Sequence, residues 1–169
     1  MDIYKKKFEF TEKLTLNENK YLEIFSIFNN FDVEIKFKLV DTKNDKEIIF
    51  NKSSWNKIKS SEKNIVKSLK KKINITRRED GVEKIFVEQD LEITVQELYD
   101  ARGLFFKQNL TEIRLMLSTF SYLTGNFFKI FEIGQFIQKK INISAENFIK
   151  LNIQSEHDSV LTNARKKKC

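Results

Sequence analysis

Shifted by 93 residues, the chain lies over itself without a gap, and a chain that repeats its order of elements must fold into an architecture that holds two similar units. Ile24 falls on Leu117, Ser26 on Thr119, and Ile35-Lys36-Phe37 on Phe128-Lys129-Ile130. Val40 meets Ile133, Ile48 meets Ile141 and Phe50 meets Ile143, while Trp55, Lys57 and Ile58 meet Phe148, Lys150 and Leu151. Identities are few, but the residue classes recur in the same order.

The first copy is read from hydrophobic period. Val33, Ile35, Phe37 and Leu39 alternate with Asp32, Glu34, Lys36 and Lys38, the pattern of a half-buried antiparallel strand. Thr42-Lys43-Asn44-Asp45 supplies a turn and Glu47-Ile48-Ile49-Phe50 resumes the sheet. With strands at 8–16 and 20–28, this predicts a four-strand meander. The period then becomes helical. After a cap at Ser53 or Ser54, Trp55, Ile58, Ile65, Val66 and Leu69 share one face, which Glu62 interrupts, so a break is expected at Ser60-Ser61. Segments 73–79 and 82–89 flank Asp80-Gly81, a two-residue hairpin signal. Thr94-Val95-Gln96-Glu97 has capping-box form and predicts a short helix to about Gly103.

The second copy then takes strands near 104–109, 112–122, 127–136 and 138–143 and a helix capped by Ser144. One stretch keeps two readings: Asn109-Leu110-Thr111-Glu112 also has the form of a cap for a helix over 110–124 ended by Gly125. The repeat favours a strand there. The fold class is α+β: two ββββα units, 1–72 and 104–162, whose antiparallel sheets pack with two main helices in a single domain. Residues 73–103 connect the units, and the basic tail 163–169 is expected to be disordered.

Composition narrows the function. Sixteen Phe among 169 residues give ample core, and the single Cys169 excludes a disulfide framework and a Cys-based zinc site. No apolar stretch approaches the ~18 residues of a membrane span. Met1-Asp2-Ile3-Tyr4-Lys5-Lys6-Lys7 leads into no apolar h-region, so the expected setting is an intracellular, reducing one, cytoplasmic or nuclear. The net charge is +7, and an A+T-rich genome would raise Lys, Asn, Ile and Phe without selection for binding. The distribution is uneven, however. Residues 52–72 hold eight Lys against Glu62 alone, whereas 82–100 hold six carboxylates against Lys84. An arranged field is the better account of that contrast.

Catalysis finds little footing. His157, the one histidine, sits in a polar surface-like run, and no phosphate-loop, dinucleotide or nucleophile-elbow motif occurs. No cofactor is expected, and the carboxylates of 83–100 fit no metal-loop spacing. Binding has more support. Sheet surfaces that hold single strands combine cations for phosphates with aromatic faces for bases. Lys36 and Lys38 share a polar face, and in the 93-residue repeat they meet Lys129 and Phe131. Arg77, Arg78 and Lys84 lie near the expected hairpin, and Tyr21 and Phe25 are candidates for stacking.

The run Ile48-Ile49-Phe50 entering a helix with Trp55 and Ile58, then Val66-Lys67-Ser68-Leu69 before Asp80-Gly81, sits in two successive ββββα units. That arrangement resembles the Whirly family of single-stranded-DNA-binding proteins. Pur-alpha-like proteins, kinetoplastid guide-RNA-binding proteins and positive-cofactor-four-type coactivators share the unit. The resemblance implies single-stranded DNA or RNA binding on the sheets, homo-oligomeric assembly through the helices, and an accessory role in transcription or replication. The rival expectation is a protein-interaction or regulatory module whose acidic segment docks a basic partner.

Overall fold

The computed structural model describes residues 9–29, 32–72, 81–98 and 101–167, with side chains for all of these except 29 and 152–167. Four strands come first: β1 (Thr11–Asn17), β2 (Lys20–Asn29), β3 (Asp32–Asp41) and β4 (Lys46–Asn51). Helices α1 (Lys52–Ser60) and α2 (Glu62–Leu69) follow. The order then repeats as β5 (Val82–Glu88), β6 (Leu91–Glu97), β7 (Arg102–Gln108), β8 (Thr111–Met116), α3 (Leu117–Gly125) and α4 (Phe127–Lys167). Each set of strands is an antiparallel meander, ordered β1-β2-β3-β4 and β5-β6-β7-β8. The fold is therefore α+β with two four-strand sheets, as the periodicity of the chain predicts.

The repeat is present, but at other spacings than 93. Lys20 begins β2 as Leu91 begins β6, 71 residues on. Asp41 ends β3 as Gln108 ends β7, 67 on, and Lys46 begins β4 as Thr111 begins β8, 65 on. At these spacings the buried positions coincide: Leu22 and Ile24 with Ile93 and Val95, Phe37 and Leu39 with Leu104 and Phe106, Ile48 with Ile113, Trp55 with Phe120, Ile58 with Leu123, Ile65 with Ile130. Shorter hairpins in the second half remove six residues by stages, so no ungapped shift can reveal the match.

Several expectations are corrected accordingly. The segment 127–143 is helical, because Ile130, Ile133, Ile137 and Ile141 recur at three- and four-residue steps and bury one helix face. Ser144 starts nothing and lies inside α4. The contested stretch 110–124 divides, strand to Met116 and helix from Leu117, with Gly125 as its last residue. The helix expected from Thr94 is strand β6, since Leu91, Ile93 and Val95 alternate into the core and outweigh a local capping signal. The Asp80-Gly81 hairpin lies partly outside the described residues. The partner of β5 is β6, reached through Gln89-Asp90, with Gln89 at φ 51°. Helix α4 continues through Ala164–Lys167, where a disordered tail was expected. Ala, Arg and Lys are strong helix formers, and cations suit a helix C-terminus.

The break at Ser61 between α1 and α2 is where Glu62 places it. The cap of α1 is Asn51, whose side chain accepts from the Ser54 amide at 2.9 Å, rather than either serine.

Helices are exchanged between the sheets. α1 lies on its own sheet at β3 and β4, but α2 packs on β5, β6 and β7. α3 touches β7 and β8 and also β1, while α4 crosses β1, β2 and β3. One continuous core results, joined by aromatic contacts. Trp55 stacks on Phe37 at 5.0 Å and meets Phe127 at right angles with centroids 5.4 Å apart, and Phe50 lies 6.2 Å from Phe106.

Candidate nucleic-acid interface

Alternation sends Leu22, Ile24, Phe37 and Leu39 to the helices and their neighbours to solvent. The outer face of the first sheet is thereby built from Lys13 and Thr15 on β1, Tyr21, Glu23 and Phe25 on β2, Glu34, Lys36 and Lys38 on β3, and Glu47 on β4. Register places Lys13 opposite Glu23, Glu23 opposite Lys38, and Phe25 opposite Lys36. Each ring carries a cation: Lys13 Nζ stands 4.6 Å over Tyr21 and Lys38 Nζ 5.3 Å over Phe25. Lys36 lies 4.0 Å from Glu34, and Lys38 lies 3.9 Å from Glu47. Three lysines and three carboxylates leave this face electrically balanced.

Of the residues singled out from sequence, Tyr21, Phe25, Lys36 and Lys38 come together here. Lys84 lies on edge strand β5 of the other sheet, 3.7 Å from Glu92. Lys129 and Phe131 are on α4, both exposed, so they do not extend a sheet face as the 93-residue repeat required. Arg77 and Arg78 lie outside the described residues. Lys13 escaped the sequence reading, although its alternation with Leu14 and Leu16, and its place across the β1–β2 hairpin from Tyr21, carried the signal.

The unbalanced charge is on α1, α2 and the two residues that follow α2. Trp55, Ile58, Ile65 and Leu69 turn inward, which leaves Lys52, Lys57, Lys63, Lys67, Lys70 and Lys71 on the outer side. Two of these lysines are tied to the second sheet. Lys57 Nζ lies 3.3 Å from Glu88, which also accepts from the Ser53 hydroxyl. Lys71 Nζ lies 3.2 Å from Glu83, which accepts from the Ser68 hydroxyl. The Ser53 bond, with Lys57 beside it, holds Glu88 below the ordinary glutamate value of 4.5. Glu83 is likewise lowered, first by the Ser68 bond, against burial, then by Lys71 and Arg102. Arg102, buried between α2 and the sheet, donates to Glu97 at 2.9 Å and lies 3.6 Å from Glu83.

Where the two sheets meet, a cleft of about 370 Å³ is lined by Lys20, Asp41, Lys46, Phe105, Glu112 and Arg114. Asp41 is buried, which raises its pKa. The Asn44 side chain and the main-chain amides of Asn44 and Lys43, with Lys20 nearby, outweigh that and hold it below 3.8. Among the described residues, no group of three or more His, Cys, Asp or Glu could hold a metal ion, and no helix is long and apolar enough to cross a membrane. No protein-family model matches the chain, and no curated protein matches it in sequence.

Proposed function

We propose that the protein binds single-stranded DNA or RNA, without catalysis, on the outer face of its first sheet, aided by the lysines of α1 and α2. The observation that carries this reading is the meeting of Lys13, Lys36 and Lys38 with Tyr21 and Phe25 on one solvent-facing surface. A base stacked on either ring displaces the ammonium above it toward the neighbouring phosphate, so the same pair serves both parts of a nucleotide. Because Glu23, Glu34 and Glu47 neutralise the face itself, long-range attraction falls to the helical lysines.

The rival reading, an acidic segment that docks a basic partner, has less support. Glu83, Glu88 and Glu97 are already engaged by Lys71, Lys57 and Arg102 within the fold. Assembly through the helices, the other part of the proposal, has its material in Phe128 and Phe131, 72% and 54% exposed on α4. Sedimentation velocity over a range of concentrations tests it, and a monomer at every concentration removes it.

Fluorescence anisotropy with labelled oligo-dT and with a duplex of equal length, at several salt concentrations, tests the main reading. Salt-dependent binding that prefers the single strand is expected. No binding at low salt, or equal binding to both, overturns it.

A further inference from the structure

Glu23 stands between the two rings of the stacking face. Tyr21, Glu23 and Phe25 follow one another on β2 at two-residue steps, so their side chains leave one face at intervals of about 7 Å. On β1, Lys13 lies opposite Glu23 and Thr11 opposite Phe25, and on β3 Lys38 lies opposite Glu23.

Neither neighbouring lysine is spent on this carboxylate. Lys13 Nζ lies over Tyr21, while Lys38 Nζ lies over Phe25 and 3.9 Å from Glu47. Among the described residues Glu23 forms no ion pair. Its one bond comes from the Thr11 hydroxyl, which donates to Oε1 at 2.9 Å. Because Thr11 is opposite Phe25, that bond draws the carboxylate toward the Phe25 ring. The other oxygen, Oε2, has no partner among the described residues. A free acceptor thus sits beside a surface on which a base can stack.

Bases differ in what they offer such an acceptor. Cytosine and adenine carry exocyclic amino groups, and guanine has an amino group beside a ring N–H. Thymine and uracil have only an imide N–H set between two carbonyl oxygens, which repel a carboxylate. We propose that Glu23 is a base-reading residue that selects amino-bearing bases over thymine and uracil at the position stacked on Phe25. The inference rests on the nucleic-acid reading of this face and adds a base preference to it. Without that role the Glu23 carboxylate would only oppose binding, since it meets the strand's phosphates with like charge.

The full chain is titrated with labelled oligo-dC and oligo-dT of equal length at neutral pH, two pyrimidine strands that differ in the amino group. The parent is compared with Glu23→Gln and with Glu47→Gln, which loses an equal charge two strands away from the rings. The parent should favour oligo-dC by about fivefold or more, the lower end of what one base-edge contact discriminates. Glu23→Gln should bind both strands more tightly and cut the preference to about twofold or less, because its amide also donates to thymine carbonyls. Glu47→Gln should tighten both and keep the parent's preference. A parent that binds both strands equally overturns base reading and leaves nucleic-acid binding standing. A preference that Glu23→Gln leaves unchanged belongs to other groups and overturns the role of Glu23. Binding to neither strand removes the nucleic-acid reading and this inference with it.

Discussion

The side-chain amide of Gln108 bonds both main-chain groups of Ile49, donating to its carbonyl at 2.5 Å and accepting from its amide at 3.2 Å. Ile49 lies on β4, the outer strand of the first sheet, whose free edge would otherwise present unpaired groups. A side chain from the end of β7 thus stands in for a neighbouring strand, and it does so where the two sheets meet.

Removing that amide leaves two main-chain groups unpaired in a part-buried position. Gln108→Ala should cost about 1–3 kcal/mol, read as a lower urea midpoint. Gln108→Glu keeps the acceptor and loses the donor, so it should destabilise too. A midpoint unchanged in both would show that water replaces the amide without loss.

Trp55 joins the first unit to the start of α4 through Phe37 and Phe127. It is 4% exposed, and Trp55→Ala should cost about 3–5 kcal/mol. Unfolding followed by far-ultraviolet circular dichroism checks the figure, and a destabilisation below about 1 kcal/mol would mean the core closes over the gap.

Acid should weaken the fold in a defined window. Glu83 and Glu88 are held below 4.5 and Asp41 below 3.8 in the folded state. The stability they contribute is fully present above those ordinary values and is lost as pH falls through the lowered folded ones. Urea midpoints should hold level from neutrality to about pH 5 and then decline. Glu83→Gln should decline less steeply than the parent; equal slopes would remove Glu83 from the account.

On the sheet face, Lys36→Ala/Lys38→Ala should change stability by no more than about 0.5 kcal/mol per site, since both pairs are surface contacts. It should lower the salt slope for oligo-dT by about 0.7 for each phosphate no longer held. Phe25→Leu removes a stacking surface and no charge, so affinity should fall by about 1–3 kcal/mol with the slope unmoved. Folded variants that both bind like the parent would exclude this face.

The strands of the first sheet were legible because one face is wet: Glu34, Lys36 and Lys38 mark the period against Phe37 and Leu39. In the second sheet Arg102, Gly103, Leu104, Phe105 and Phe106 are all buried, so β7 shows no alternation, and the strand expected near 104–109, which β7 matches, rested on the repeat rather than on its own period. α4 was misread because its many Phe and Ile residues also suit strands, and the ungapped repeat supplied a false register. Of the candidate site, the residues on β2 and β3 were found through alternation alone. Ser68 and Lys71 reach Glu83 only because α2 leaves its own sheet, a relation that no local pattern in the chain encodes.

That departure also orders events during synthesis. β1, β2 and β3 leave the ribosome before the α4 residues that pack on them, Ile130 to Phe148, which follow about a hundred residues later. Until then the nascent chain carries an apolar sheet face that its own α1 covers only at β3 and β4, the kind of surface that chaperones hold and that promotes association between unfinished chains. Neither half can complete its core alone, so the two are expected to fold together in one late step dominated by distant contacts.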